Sequence, residues 1–86
     1  MPLFQLAYAD GWDKYFNKFD KPIQERIRKK ILQAGFLIGV RHLKHGLAYF
    51  ILETGQYRVA YEEQGNLRII HFAGTHKQYE EWLRQQ

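Results

Sequence analysis

Leu47-Ala48-Tyr49-Phe50-Ile51-Leu52-Glu53-Thr54-Gly55-Gln56-Tyr57-Arg58-Val59-Ala60-Tyr61-Glu62 is the stretch on which the fold turns. Upstream of it, apolar side chains recur every three or four positions; from here on they alternate, which is the period of a strand. Leu47 to Glu53 reads as one strand and Tyr57 to Glu62 as the next. Between them Thr54-Gly55-Gln56 is a tight turn, with glycine free to take positive φ. Gln64-Gly65-Asn66 is a second turn, and Leu67 to Ala73 is a third strand. Turns this short make neighbouring strands antiparallel, so the segment is a meander.

Gly74-Thr75 breaks the third strand. Thr75 is placed as the N-cap of a short closing helix over Lys77 to Leu83. Upstream, Asp20-Lys21-Pro22 marks a helix start, because aspartate caps and proline fits the first turn. Ile23, Ile27, Ile31, Ala34 and Ile38 then recur at helical spacing over 22–38, with Arg26, Arg28, Lys29 and Lys30 outside their arc. This helix is expected to end near Gly35 or Gly39. Trp12, Tyr15, Phe16 and Phe19 suggest another short helix, running to about residue 19 with Asp10 as its cap. Phe4, Leu6 and Tyr8 alternate, suggesting a first strand at 3–9. The expected class is α+β, in the order β-α-α-β-β-β-α. A small twisted antiparallel sheet with a helix hairpin on one face would bury both apolar surfaces.

The chain has 86 residues and a net charge of +4, and reads as a single domain over residues 1–86. So short a chain leaves little core for a deep cavity, and a groove or open face is the expected working surface. The charge is uneven: residues 1–45 hold nine Lys or Arg against four Asp or Glu, and residues 46–86 hold four against five. The resulting balances of +5 and −1 suit a polyanion, an acidic partner segment, or simply a solvated helix face. With no cysteine there is no disulfide and no thiolate chemistry. No apolar run is long enough for a membrane span, and Met1-Pro2-Leu3-Phe4-Gln5 lacks a basic leader region. A cytoplasmic location, without membrane contact, is the default expectation.

Strand parity sets Tyr57, Val59 and Tyr61 against the helices and turns Arg58 to the opposite, open face. An arginine there either presents its donor fork to a phosphate or closes a surface ion pair with Glu53 or Glu62. His76 follows the third strand, at a strand-to-helix junction, and imidazole is the side chain suited to proton transfer near neutrality. In a meander the start of the first strand and the end of the third share an edge, so Lys44 and His45 are expected to approach His76. Tyr79, three residues on, either stacks on a base or packs into the core. Lys77 adds a charge beside them for substrate.

Together these groups suit metal-free RNA cleavage by in-line attack of a 2′-hydroxyl. His76 would serve as acid or base, Arg58 and Lys44 would hold the phosphate charge, and Tyr79 and His45 would contact the substrate. A second acid/base is left open among Glu53, His45, His42 and Lys44. His42-Leu43-Lys44-His45 lacks a third ligand at metal spacing; no metal and no cofactor are expected. His71, inside a strand, reads as a hydrogen-bonded sheet histidine.

Leu43-Lys44-His45-Gly46, Gly55-Gln56-Tyr57-Arg58-Val59 and Gly74-Thr75-His76-Lys77-Gln78-Tyr79-Glu80, with the order of elements, resemble the RelE/ParE superfamily of toxins. The closing motif is most similar to the Gly-Thr-His-x-x-Tyr-acid signature of the HigB branch. The resemblance implies a RelE-like fold and a type II toxin that cuts mRNA on the ribosome and is neutralised by a cognate antitoxin. By position, Arg58 matches the phosphate-binding arginine, His76 the catalytic histidine and Tyr79 the motif tyrosine. Two positions where RelE carries lysines are Tyr49 and Ile51 here, and Arg41 stands where the YoeB branch has a glutamate. A gyrase-directed ParE-like toxin and an inactive antitoxin-binding relative are the alternatives. An acidic or amphipathic antitoxin tail is expected on helix 22–38 or on the open sheet face.

Overall fold

The computed structural model describes residues 4–36 and 49–86. Four strands form one sheet: β1 (Gln5–Tyr8), β2 (Tyr49–Thr54), β3 (Tyr57–Gln64) and β4 (Leu67–Thr75). Two α-helices flank it, α1 (Lys21–Gln33) and α2 (His76–Arg84). The strand order is β1-β4-β3-β2. The meander is present, but each turn is two residues rather than the three expected: Thr54 and Gln64 belong to the strands, Thr54 pairing with Tyr57 across Gly55-Gln56 and Gln64 with Leu67 across Gly65-Asn66. Both loop glycines take positive φ, 59° at Gly55 and 60° at Gly65, which is why these two-residue loops close.

The sheet is mixed rather than wholly antiparallel, because β1 pairs in parallel with β4, Gln5 to Leu67 through Tyr8 to Ile70. No tight turn dictates that pairing; β1 reaches β4 only through tertiary packing.

The expected helix to residue 19 is instead a run of turns ending in a single 3-10 turn, Phe16–Lys18. A continuous helix would present Trp12, Tyr15, Phe16 and Phe19 along one stripe. The broken chain divides them between the two sides of the sheet. Phe16 and Phe19 join the α1 side, where Phe19 meets the Tyr57 ring edge-on at 5.6 Å, and Tyr15 meets Phe72 on the other side at 5.6 Å. The helix hairpin is therefore one α-helix preceded by this aromatic turn. Asp20 sits at the N-cap of α1 with no side-chain cap bond, Pro22 lies in its first turn, and the helix stops at Gln33. There the Ala34 carbonyl accepts from Arg68 Nη1 at 2.6 Å.

Two apolar clusters sandwich the sheet. On the α1 side Ile27, Ile31 and Ala34 pack on Leu52, Val59, Tyr61 and Ile70. On the other side Ala60, Phe72 and Tyr79 pack with Ile51, Trp82 and Leu83. The face expected to be open is thus covered at its centre by α2. A register shift between Ala60 and Tyr61 makes this possible: Ala60 pairs with Phe72 but Tyr61 pairs with Ile70. His71 is the extra residue of this bulge, and through it both halves of β4 keep their apolar side chains inward.

Candidate functional site

The site grows from the junction of β4 and α2. Thr75 accepts a hydrogen bond from Gln78 N at 3.1 Å, and the Gln78 side chain accepts from Thr75 N at 2.9 Å. This is a complete capping box. It starts α2 at His76 with no intervening loop, one residue earlier than the sequence suggests. Gly74 belongs to β4 rather than breaking it. A Cβ there would lie 2.7 Å from Gln78 Oε1 and 2.8 Å from Phe72 Cζ, so the cap and the aromatic packing both need glycine.

His76 N donates to the Gln56 carbonyl at 2.7 Å, which ties the start of α2 to the β2–β3 loop. The imidazole is 53% exposed, and its Nε2 lies 2.8 Å from Glu80 Oε1, one helical turn on. Arg58 enters from β3, paired with Gly74 on one side and Glu53 on the other. Its Nη1 donates to the carbonyls of Gly55 at 2.9 Å and Tyr57 at 3.0 Å, and its Nε lies 3.7 Å from Glu53 Oε1. Arg58 is thus folded along its own hairpin, with its side chain 17% exposed against 47% for Glu53. The ion pair with Glu53, one of the two sequence alternatives, is present. The cation also remains at the sheet end where His76 emerges.

Lys77 is exposed on the first turn of α2. Tyr79 is 9% exposed and packs against Phe72 and Trp82, with ring centroids 6.0 and 6.2 Å apart. Its ring also stands 6.3 Å from that of His76. Core packing therefore takes most of the ring that stacking on a base would use. Lys44, His45, His42 and Arg41 lie outside the described residues; of the sequence-derived set, the structure pairs Arg58 with Glu53 and sets His76 at the same end of the sheet, its imidazole on Glu80. Among the described residues no cluster of His, Asp and Glu could hold a metal ion.

Tyr49 and Ile51, the strand positions marked by the resemblance, project on the α2 side. Ile51 packs in the second cluster. Tyr49 meets the rings of His71 and Trp82 at 5.0 and 5.1 Å. His71 Nε2 lies 2.9 Å from Glu62 Oε1. That hydrogen bond is the main reason the Glu62 carboxyl is held below its ordinary value.

Sequence reading passed over Arg68. It is 2% exposed, bonds Glu63 Oε1 at 2.7 Å through Nη2, and lies 3.7 Å from the centre of the Phe4 ring. Its Nε and the nearby Tyr61 hydroxyl are buried without a partner among the described residues, and burial raises the Tyr61 pKa against the pull of Arg68. Arg68 stands on the inward parity of β4, where an apolar residue is the usual occupant; that is the one signal in the sequence that could have marked it.

No protein-family model and no curated protein match this chain. A solved structure does: a chain of the RelB-RelE antitoxin-toxin complex from Methanococcus jannaschii superposes with a TM-score of 0.68. The match covers 88% of this chain and 96% of that one, at 17% identity. Strand order, the two helices and the extent of that superposition agree: this chain has the RelE-like fold.

Proposed function

We propose that this chain is the toxin of a type II toxin-antitoxin pair and acts as a metal-free endoribonuclease on mRNA at the ribosome, in the cytoplasm. One observation carries the reading. The β3–β4 register sets Arg58 opposite Gly74, two residues before His76, while His76 N is bonded to the same hairpin that Arg58 grips. A guanidinium and a solvent-facing imidazole thus share one end of the sheet. The first supplies charge for a pentavalent phosphate and the second a titratable proton.

In this reading the 2′-oxygen attacks the adjacent phosphorus as it loses its proton to a base. The 5′-oxygen leaves with a proton from an acid, giving a cyclic phosphate and a 5′-hydroxyl. His76 serves as one of the two proton carriers. Arg58 swings from the Gly55 and Tyr57 carbonyls to the phosphate oxygens. Glu53, beside Arg58 and half exposed, is the described candidate for the second proton carrier; Lys44 and His45 are the candidates outside the described residues. Lys77 faces the entering strand, and Tyr79 supports the His76 turn from the core. The partner that silences the protein is a cognate antitoxin, in keeping with the RelB-RelE complex to which the fold is similar.

Expression in growing cells with mapping of mRNA ends tests the reading. Codon-phased cuts should appear with the wild-type chain. They should fall by about 100-fold or more in His76→Ala, and by a similar factor in Arg58→Ala, while the folded spectrum is kept. DNA damage without mRNA cuts would instead mark a gyrase poison, and an unaffected culture would mark an inactive relative.

A further inference from the structure

Across the sheet from α2, helix α1 presents Arg26, Lys29, Lys30 and Gln33 at i, i+3, i+4 and i+7, so they form one stripe. With Glu25 and Thr54 they line an open groove of about 370 Å³. Arg26, Lys29 and Lys30 have no carboxylate partner among the described residues. All nine Asp and Glu of the chain lie within those residues, so none of the three cations is held in a side-chain ion pair, and the groove carries three positive charges against the single negative charge of Glu25.

The stripe points toward the candidate site. A Cβ built on Gly55 would sit 3.7 Å from Arg26 Nη1, and the Gly55 carbonyl is the one that Arg58 Nη1 grips. Arg26 and Arg58 therefore approach the Gly55-Gln56 loop from opposite faces of the sheet. Successive turns of the stripe rise ~5.4 Å, a step comparable to that between neighbouring phosphates of an extended strand. An acidic protein segment would also need apolar anchorage, and this groove offers only Pro22 and the aliphatic stems of its charged side chains. The apolar surface lies elsewhere, where Phe4, Leu6, Leu32 and Phe36 line a separate groove beside β1.

We propose that Arg26, Lys29 and Lys30 form a second phosphate-binding surface. It holds the backbone of the same RNA strand whose scissile phosphate lies at Arg58, with the strand crossing the Gly55-Gln56 loop. This rests on the nuclease reading for the position of the scissile phosphate, but the stripe's affinity for RNA is measurable without cleavage.

The test uses the full chain in a His76→Ala background and fluorescent single-stranded RNAs of about 12 and about 4 nucleotides, lengths that do and do not reach beyond one site. Anisotropy is followed against salt. The combined Arg26→Gln, Lys29→Gln, Lys30→Gln variant should weaken binding of the longer RNA by about 10-fold or more. It should also flatten its log–log salt slope by about 2, since each lost phosphate contact on a single strand contributes about 0.7. The shorter RNA should be unaffected. Glutamine is a good helix former, so α1 is retained; should the triple variant still lose its helical spectrum, Lys29→Gln alone should flatten the slope by about 0.7. An unchanged affinity and slope overturns the proposal, as does absence of RNA binding at low salt. Loss of antitoxin binding with RNA binding intact would also overturn it, and would make the stripe a protein-docking surface. If RNA binding changes as stated but wild-type cells show no mRNA cuts, the nuclease reading fails and the RNA track stands.

Discussion

At the scale of single residues, chemistry and packing compete for the same side chains. Arg58 is the cation at the candidate site, yet at rest two backbone carbonyls and Glu53 share its fork. Tyr79 belongs to a suggestive motif, yet its ring is mostly core. His71 and Glu62 offer the clearest electrostatic consequence. Because the His71 hydrogen bond lowers the Glu62 pKa in the folded chain, the ionised carboxylate favours folding. That contribution is present above the unfolded value of Glu, about 4.3, and is lost as pH falls through the folded pKa. The urea midpoint of Glu62→Gln should therefore lie below wild type at pH 7, and the gap should close toward pH 3. A gap that stays constant across that range would refute the assignment.

Elements are where local sequence spoke most directly. Both hairpin turns were legible from their glycines, although each proved one residue tighter than the sequence suggested, Thr54 and Gln64 joining the strands. The Thr75 cap was legible because threonine stands directly before an amphipathic run; the answering bond from Gln78 came with the structure. Its partner contacts, Gly74 under Gln78 and His76 N on Gln56, were not, since each depends on what folds over it. Thr75→Ala should remove the cap and lower stability by about 1 kcal/mol. Loosened anchorage of His76 should show as faster amide exchange over residues 76–79 than elsewhere in the chain. The segment 12–19 is the element where spacing misled. Four aromatics at helical intervals described a helix, but demand from two cores on opposite sides of the sheet outweighed a propensity already weakened by Asp13, Asn17 and the aromatics themselves.

Over the whole molecule, Arg68 does what no single element does. It bonds the carbonyl end of α1, the Glu63 carboxylate of the β3–β4 hairpin, and lies over the ring of Phe4 at the start of β1. Replacing it by alanine opens a cavity and leaves the Ala34 carbonyl without this donor. Arg68→Ala should cost about 2–4 kcal/mol in chemical denaturation. Arg68→Met, which keeps most of the volume, should cost less, and equal losses would show that charge alone matters. Local sequence was enough for the meander, α1 and the threonine cap before α2. All of these follow from contacts within a few residues, where chain geometry permits few solutions. Tertiary packing set the parallel pairing of β1, the bulge at His71, the covering of the second sheet face by α2, the burial of Arg68, and the resting pose of Arg58 with Glu53 rather than Glu62. Those depend on groups distant in sequence competing for one interior, and the periodicity of a single strand or helix carries no record of what will be packed against it.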